Sequence, residues 1–313
     1  YNLPDSTGSG PMTVNNIDGI RMSTSIAYLE IARHRLNLTI RGDSFVKKIL
    51  IKDSKAYGVE VETSGEIFEV YGNEIILCGG AINSPQLLML SGIGPKDHLA
   101  EFGIEIKKDL PGVGQNLRDH PIAFLLFDSN IPNPDNPVPH TQVITRYTSS
   151  ESNLRNDVSI QPLKMNSEHV PSYISVDVDD SCFGLGVILQ KALGSGELFL
   201  QSDHFKVQPV LNYKYLELEE DIRRMREGVR LILEIADTKE YKNIIEKRIY
   251  PKDEEIESDE GIDRWIKSVV CSAHHSSGTC KMGPVDDDMA VVNHQGRVYG
   301  IDSLRVIDAS IMP

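Results

Sequence analysis

This 313-residue chain lacks the features that mark several broad protein classes. It has four cysteines, Cys78, Cys182, Cys271 and Cys280, too few and too scattered for the disulfide framework of a small secreted domain. No apolar run approaches the roughly 18 residues of a membrane span. Positive charge is in deficit. With 32 Lys and Arg against 46 Asp and Glu, the formal net charge is −14 at pH 7, and the basic footprint of a nucleic-acid-binding protein is absent. There is no internal repeat and no low-complexity tract. Also missing is a Gly-x-Gly-x-x-Gly fingerprint opening a strand–helix unit, the usual pyrophosphate-binding turn. No signal peptide is visible, and localisation stays open, with the cytoplasm favoured.

What is present is ordinary globular material. At 40% hydrophobic and 25% charged, the chain can bury a real core in one large domain or two smaller ones. Residues 23–33 read as a helix after a capping serine. Segments 37–40, 46–52, 57–63 and 67–70 read as short strands, with Ser64-Gly65 as a turn. Residues 95–102 read as a second helix. The tract from Ile131 to Pro139 is too proline-rich for regular structure and reads as a surface loop. After it, aliphatic and β-branched runs at 142–147, 157–162, 184–190, 196–201 and 210–213 predict a meandering antiparallel sheet. The clearest helix is 216–236, where Ile222, Met225, Val229, Ile232 and Ala236 form one apolar stripe, a core-packing pattern. The acidic run 251–260 reads as a solvated loop leading into a helix at 262–269. The sequon Asn37-Leu38-Thr39 reads as chance.

The most informative stretch is Gly80-Ala-Ile-Asn-Ser-Pro-Gln-Leu-Leu-Met-Leu-Ser-Gly-Ile-Gly94. It follows a buried-strand pattern, Glu74 to Cys78, and a Gly79-Gly80 turn. Ser84-Pro85 supplies an N-cap and a proline at the first helical position, and Gly92 supplies a stop. A strand, a glycine turn and a helix N-terminus can approach a nucleotide closely, although a glycine turn in any α/β unit has the same local form.

The full string resembles the second signature of the glucose-methanol-choline oxidoreductases, a family of flavoenzymes. Three further blocks agree in order and spacing: Pro111-Gly-Val-Gly114 followed by Asn116-Leu-Arg-Asp-His120, His275-Ser-Ser-Gly-Thr-Cys-Lys-Met-Gly283, and Leu304 to Pro313. Ser276 departs from the pattern, standing where proline is usual, which leaves the local backbone geometry open.

The resemblance implies an α/β protein of two parts. A partial, Rossmann-like FAD-binding domain would take residues 21–105 and 271–313. An antiparallel-sheet substrate domain with flanking helices would take 106–270, with 1–20 as a candidate addition. The implied function is FAD-dependent oxidation of an alcohol CH–OH group to an aldehyde or ketone, with FAD as cofactor, a small-molecule alcohol as substrate and no metal. Electron acceptor and oligomeric state are undecided. Alternatives within the same fold are a hydroxynitrile lyase and a flavin-free, non-catalytic homologue. Because the chain opens at Tyr1 and lacks the pyrophosphate fingerprint, the expectation is an internal piece that on its own binds FAD weakly or not at all and is inactive, with a second catalytic residue beyond Pro313.

Residue by residue, the motif places the catalytic base at His275, a role that imidazole suits because its ordinary pKa of about 6.5 lets it take a proton near neutrality. Its neighbour His274 has no such match, and an extended backbone would point the two rings to opposite faces. Cofactor contacts are implied at Val46, Gly79, Gly80, Asp308 and Ala309, although Val46 by its residue type reads as a plain core valine. Asp119 and His120 are implied near the flavin ring, with a cap or salt bridge as an equal reading of Asp119. A zinc site from Cys271, His274, His275 and Cys280 has the right ligand types, but its spacing matches no common structural zinc pattern.

Overall fold

The computed structural model describes residues 3, 5–131, 141–165, 170, 174, 176, 178 and 181–313. Apart from Ile131, the proline-rich tract lies outside the described residues. The chain divides into two compact units. The first comprises Tyr1–Thr39, His120–Leu193 and Tyr215–Ala273, and the second Ile40–Asp119, Gly194–Lys214 and His274–Pro313. Residues 21–39 therefore fall in the first unit, and 106–119 and 194–214 in the second.

The first unit is built on an antiparallel sheet of seven strands. Its order is Gly8–Pro11, Val143–Tyr147, Val158–Lys164, Phe183–Leu189, Pro121–Ser129 and Ile245–Tyr250, and Cys271–Ser272 also pairs with Pro121–Ser129. Pro121–Ser129 is a central strand that periodicity does not reveal. Its apolar run is continuous because both faces are covered, the pattern of a fully buried strand. Ala123, Leu125 and Phe127 pack with the helices Glu219–Ala236 and Asp259–Val269, while Leu126 packs with Met165 and Cys182.

The stripe on Glu219–Ala236 faces the sheet. Met225, Val229 and Ile232 are fully buried there, each stabilising by about 1.5–3 kcal/mol. Gly228 lets the helix come close, since a Cβ on it would lie 2.3 Å from Val187 Cγ2. The same helix buries Arg224, whose guanidinium donates to Asp157 at 3.2 Å and is paired also with Asp221. The acidic run proves more ordered than a solvated loop: it forms the short helix Asp253–Ile256 and the first turn of Asp259–Val269, capped by Ser258 Oγ accepting from Gly261 N–H at 3.1 Å. Acidic side chains suit that end of a helix, and Asp259 and Asp263 also bind Arg226.

Near the chain start, the expected helix at 23–33 is a π-helical segment, Ser25–Leu29, followed by Glu30–Ala32. No residue of either is buried, so packing does not hold it to regular α geometry. The strand expected at 37–40 does not form; those residues run as turn and irregular chain.

The second unit contains an antiparallel sheet of Phe45–Lys52, Lys55–Thr63 and Glu66–Tyr71, turned at Ser64-Gly65 as expected. Ile75–Leu77 pairs in parallel with Leu304–Val306. The buried-strand reading of 74–78 holds only in part: Leu77 is buried, but Ile76 is 54% exposed and Cys78 is exposed, because only alternate side chains reach the core. Glu197–Phe199 and Val210–Asn212 form a two-stranded pair. A core of Leu77, Leu88, Met89, Ile93, Leu304 and Val306, among others, joins these elements. The chain is a mixed α/β protein, as the family resemblance implies.

Candidate functional site

The motif blocks meet in the second unit, apart from His120, which falls in the first. The helix after the glycine turn spans Gly80–Leu90, four residues earlier than the Ser84 cap expected. Ser84 instead folds back: its Oγ accepts from Gly79 N–H at 3.0 Å and donates to Asp308 Oδ2 at 2.6 Å. Gly80 takes φ +79°, a conformation open to glycine at little cost, and a Cβ there would meet nothing within 4 Å. Its N–H also donates to Asp308 Oδ2, at 2.9 Å, while Ser310 N–H donates to Oδ1 at 2.8 Å. Asp308 thus caps the turn Ala309–Ile311 and ties it to the glycine turn 228 residues away in sequence.

Pro85 stands inside the helix and has no N–H to give the Ala81 carbonyl. Thr279 Oγ1 fills that place, donating to Ala81 O at 2.7 Å. The adjoining backbone extends the link. Gly278 N–H donates to Ala309 O at 3.1 Å, Cys280 N–H to Ser310 O at 2.8 Å, and Met282 N–H to Ile311 O at 2.9 Å.

The block at 116–119 joins from the other side. Arg118 and Ser277 exchange both backbone hydrogen bonds at 2.9 Å, and Gly114 N–H donates to Thr279 O at 2.8 Å. Asp119 is buried, and its Oδ1 accepts the His275 backbone N–H at 3.0 Å. His274 and His275 are both exposed, but the chain is not extended here: His274 sits at φ +64°. Ser276 Oγ shares a hydrogen bond of 2.7 Å with the Tyr213 hydroxyl. Tyr213 lies outside every motif block and no residue pattern signals it, whereas Thr279 and Arg118 stand inside motif blocks that do not reveal which groups they bind. Only the proline inside a helical run hints at an orphan carbonyl that some donor must satisfy.

A cavity of about 780 Å³ opens beside the glycine turn, within the range of ligand clefts. Val46, Gly79, Cys78, Phe45, Phe205 and Lys206 are among its lining residues. Val46 is therefore not a core valine: it is 39% exposed, next to a register shift in its strand. Gly80, Asp308 and Ala309 do not line the cavity, but the hydrogen bonds above tie them to its glycine wall. Of the cysteines considered for zinc, Cys280 is buried, and burial raises its thiol pKa far above the ordinary value, whereas both histidines are exposed. Among the described residues no group of three His, Cys, Asp or Glu side chains is placed to hold a metal ion, and no helix is long and apolar enough to cross a membrane.

Comparison with known proteins gives a consistent answer. Two models described as GMC oxidoreductase match residues 1–122 and 193–313. The chain is 36% identical over 334 residues to an oxygen-dependent choline dehydrogenase of Photobacterium profundum, covering 100% of this chain and 59% of that protein. It is 34% identical to the mitochondrial choline dehydrogenase of Homo sapiens, over 98% of this chain and 55% of that one. The chain thus spans under two thirds of the length of these curated relatives. Among solved structures, pyridoxine 4-oxidase from Mesorbium loti superposes with a TM-score of 0.90 at 28% identity, covering 98% of this chain and 60% of that chain. With the motif blocks gathered in one unit and both family models matched, the chain belongs to the GMC oxidoreductase family.

Proposed function

We propose that the protein is an FAD-dependent oxidoreductase that converts the CH–OH group of a small alcohol to an aldehyde or ketone, with His275 as the base. The observation that carries this reading is the convergence of the four motif blocks on one glycine turn through the Thr279, Asp308 and Arg118 hydrogen bonds. The residues fit the cofactor. Val46 and Gly79 flank a cavity of suitable volume for the adenosine end, and the open, left-handed Gly80 leaves its backbone approachable. Asp308 and Ala309 would brace that turn against the middle of the molecule rather than offer free side-chain groups, since the Asp308 oxygens accept from Gly80, Ser84 and Ser310. The chemistry FAD supplies when bound is acceptance of a hydride from the alcohol carbon.

The protein's own part is to hold the alcohol and take its hydroxyl proton. His275 accepts that proton at a ring nitrogen of its imidazole. Asp119 fixes the His275 backbone by accepting its N–H at 3.0 Å, and the residue is exposed. Choline is the first substrate to test, because relatives at 34–36% identity carry its name.

Protein carrying this chain at the full length of its curated relatives, loaded with flavin, should be mixed without oxygen with choline and a panel of other small alcohols. Loss of the yellow flavin colour is expected with at least one. His275→Ala should keep the flavin and lose about 10²–10⁴ in turnover, while His274→Ala loses far less. A flavin that stays yellow with every alcohol, or equal losses in the two variants, rejects the reading.

A further inference from the structure

Three consecutive residues of the histidine segment are each anchored separately. The His275 N–H is held by Asp119 Oδ1 at 3.0 Å, Ser276 Oγ bonds the Tyr213 hydroxyl at 2.7 Å, and Ser277 is bridged to Arg118 through both backbone groups at 2.9 Å. The segment lies between two left-handed residues, His274 at φ +64° and Gly278 at φ +84°. Small rotations between those turns would swing the His275 ring through a wide arc, so its aim depends on these anchors.

Ser276 is the weakest point on local grounds. A proline there would fix its own φ near −65° and bar the α conformation from the preceding residue. Serine imposes neither restriction, and His275 is that preceding residue.

Tyr213 is well placed to supply a restraint that serine does not. It directly follows the strand Val210–Asn212, whose partner Glu197–Phe199 follows Gly196. A Cβ on Gly196 would lie 2.7 Å from Tyr213 Cα, so the two backbones are in close contact. Gly196 also exchanges backbone hydrogen bonds with Leu117, which precedes Arg118. The tyrosine hydroxyl therefore reaches Ser276 from a backbone already tied to the segment that holds Ser277.

We propose that Tyr213 is a positioning residue for His275, fixing through Ser276 the backbone that carries the imidazole. The functional part of the proposal rests on His275 being the base; the structural part does not.

The test labels histidine with ¹³C and follows the ring resonance of His275, assigned by its loss in His275→Ala, through a pH titration. Tyr213→Phe and Ser276→Ala each remove one hydroxyl and add no bulk. Each should move the His275 resonance and its titration by a similar amount, and the double variant should move it no further. In flavin-loaded protein each should lower kcat by about two- to tenfold, the span of one hydrogen bond, with little change in KM. Adding Ser276→Pro to Tyr213→Phe should restore both resonance and kcat. A Tyr213→Phe variant that leaves the His275 resonance unmoved overturns the proposal, as does one whose effect is undiminished when residue 276 is proline. If His275→Ala retains full turnover while the resonance changes stand, the assignment of the base fails and the Tyr213–His275 link remains.

Discussion

Thr279 Oγ1 donates a 2.7 Å hydrogen bond to the carbonyl of Ala81, the one carbonyl in its helix that Pro85 leaves without an i+4 N–H. Two motif blocks 198 residues apart are coupled by this bond. Thr279 is fully buried, so no water can replace the hydroxyl at low cost.

Thr279→Val should accordingly destabilise the protein by about 1–3 kcal/mol, the cost of a buried unsatisfied carbonyl. Adding Pro85→Ala should recover much of the loss, because an alanine N–H can reach the Ala81 carbonyl along the helix. Urea denaturation of the two single variants and the double variant gives the coupling directly. Purely additive effects would disprove it.

Asp308 is the second tie between distant blocks, accepting from Gly80 N–H, Ser84 Oγ and Ser310 N–H. Asp308→Asn keeps the shape but turns one oxygen into a donor facing donors. A loss of about 1–3 kcal/mol is expected, measured by the shift in denaturation midpoint. Asp308→Glu should not rescue it, since the longer side chain misplaces both oxygens. Wild-type stability in Asp308→Asn would mean the three hydrogen bonds contribute nothing net.

Stability should fall in acid through Asp157. Burial by itself would raise this carboxyl's pKa, but hydrogen bonds from Ser149 N–H, Ser152, the Ser149 hydroxyl and Arg224 outweigh it and hold the value below the ordinary range. A carboxyl depressed in the folded state adds stability above its unfolded pKa of about 3.9, and that contribution disappears as pH falls through the lower folded value. Denaturation between neutral pH and pH ~3 should show this acid limb, and Asp157→Asn should flatten it. Asp157→Ala should cost about 3 kcal/mol or more at neutral pH, because it removes one of the partners of buried Arg224. An unchanged acid limb in Asp157→Asn assigns the effect to other carboxylates.

The thiols should separate by exposure. Cys78 is exposed, whereas Cys182 and Cys280 are buried. Iodoacetamide should label Cys78 first and the buried pair only on unfolding. Partial burial and then the Asp308 charge raise the Cys78 pKa, so its labelling should accelerate above the ordinary thiol pKa of about 8.5. Mass spectrometry of timed samples reads the order, and early labelling of Cys280 would contradict the packing of its segment.

Features that depend on near neighbours were legible in the residues alone. The stripe at 222, 225, 229 and 232 is a helix face because side chains three and four apart share a side, and those residues are buried against the sheet. The Ser64-Gly65 turn and the strands around it follow from alternation and turn chemistry. The motif strings identified the family because each keeps its residue types at fixed spacing. Tertiary structure decided what those strings touch. Ser84 has the chemistry of an N-cap, yet Asp308 draws its hydroxyl and the helix begins at Gly80. Val46 has the composition of a core residue, yet its strand shifts register and leaves it on a cavity wall. Pro121–Ser129 carries no period, because neighbours on both faces remove any reason to alternate. Hydrogen bonds such as Tyr213–Ser276 and Thr279–Ala81 join residues 63 and 198 positions apart. Local propensity carries no information over such separations; the path of the chain through the core sets which hydroxyl meets which carbonyl.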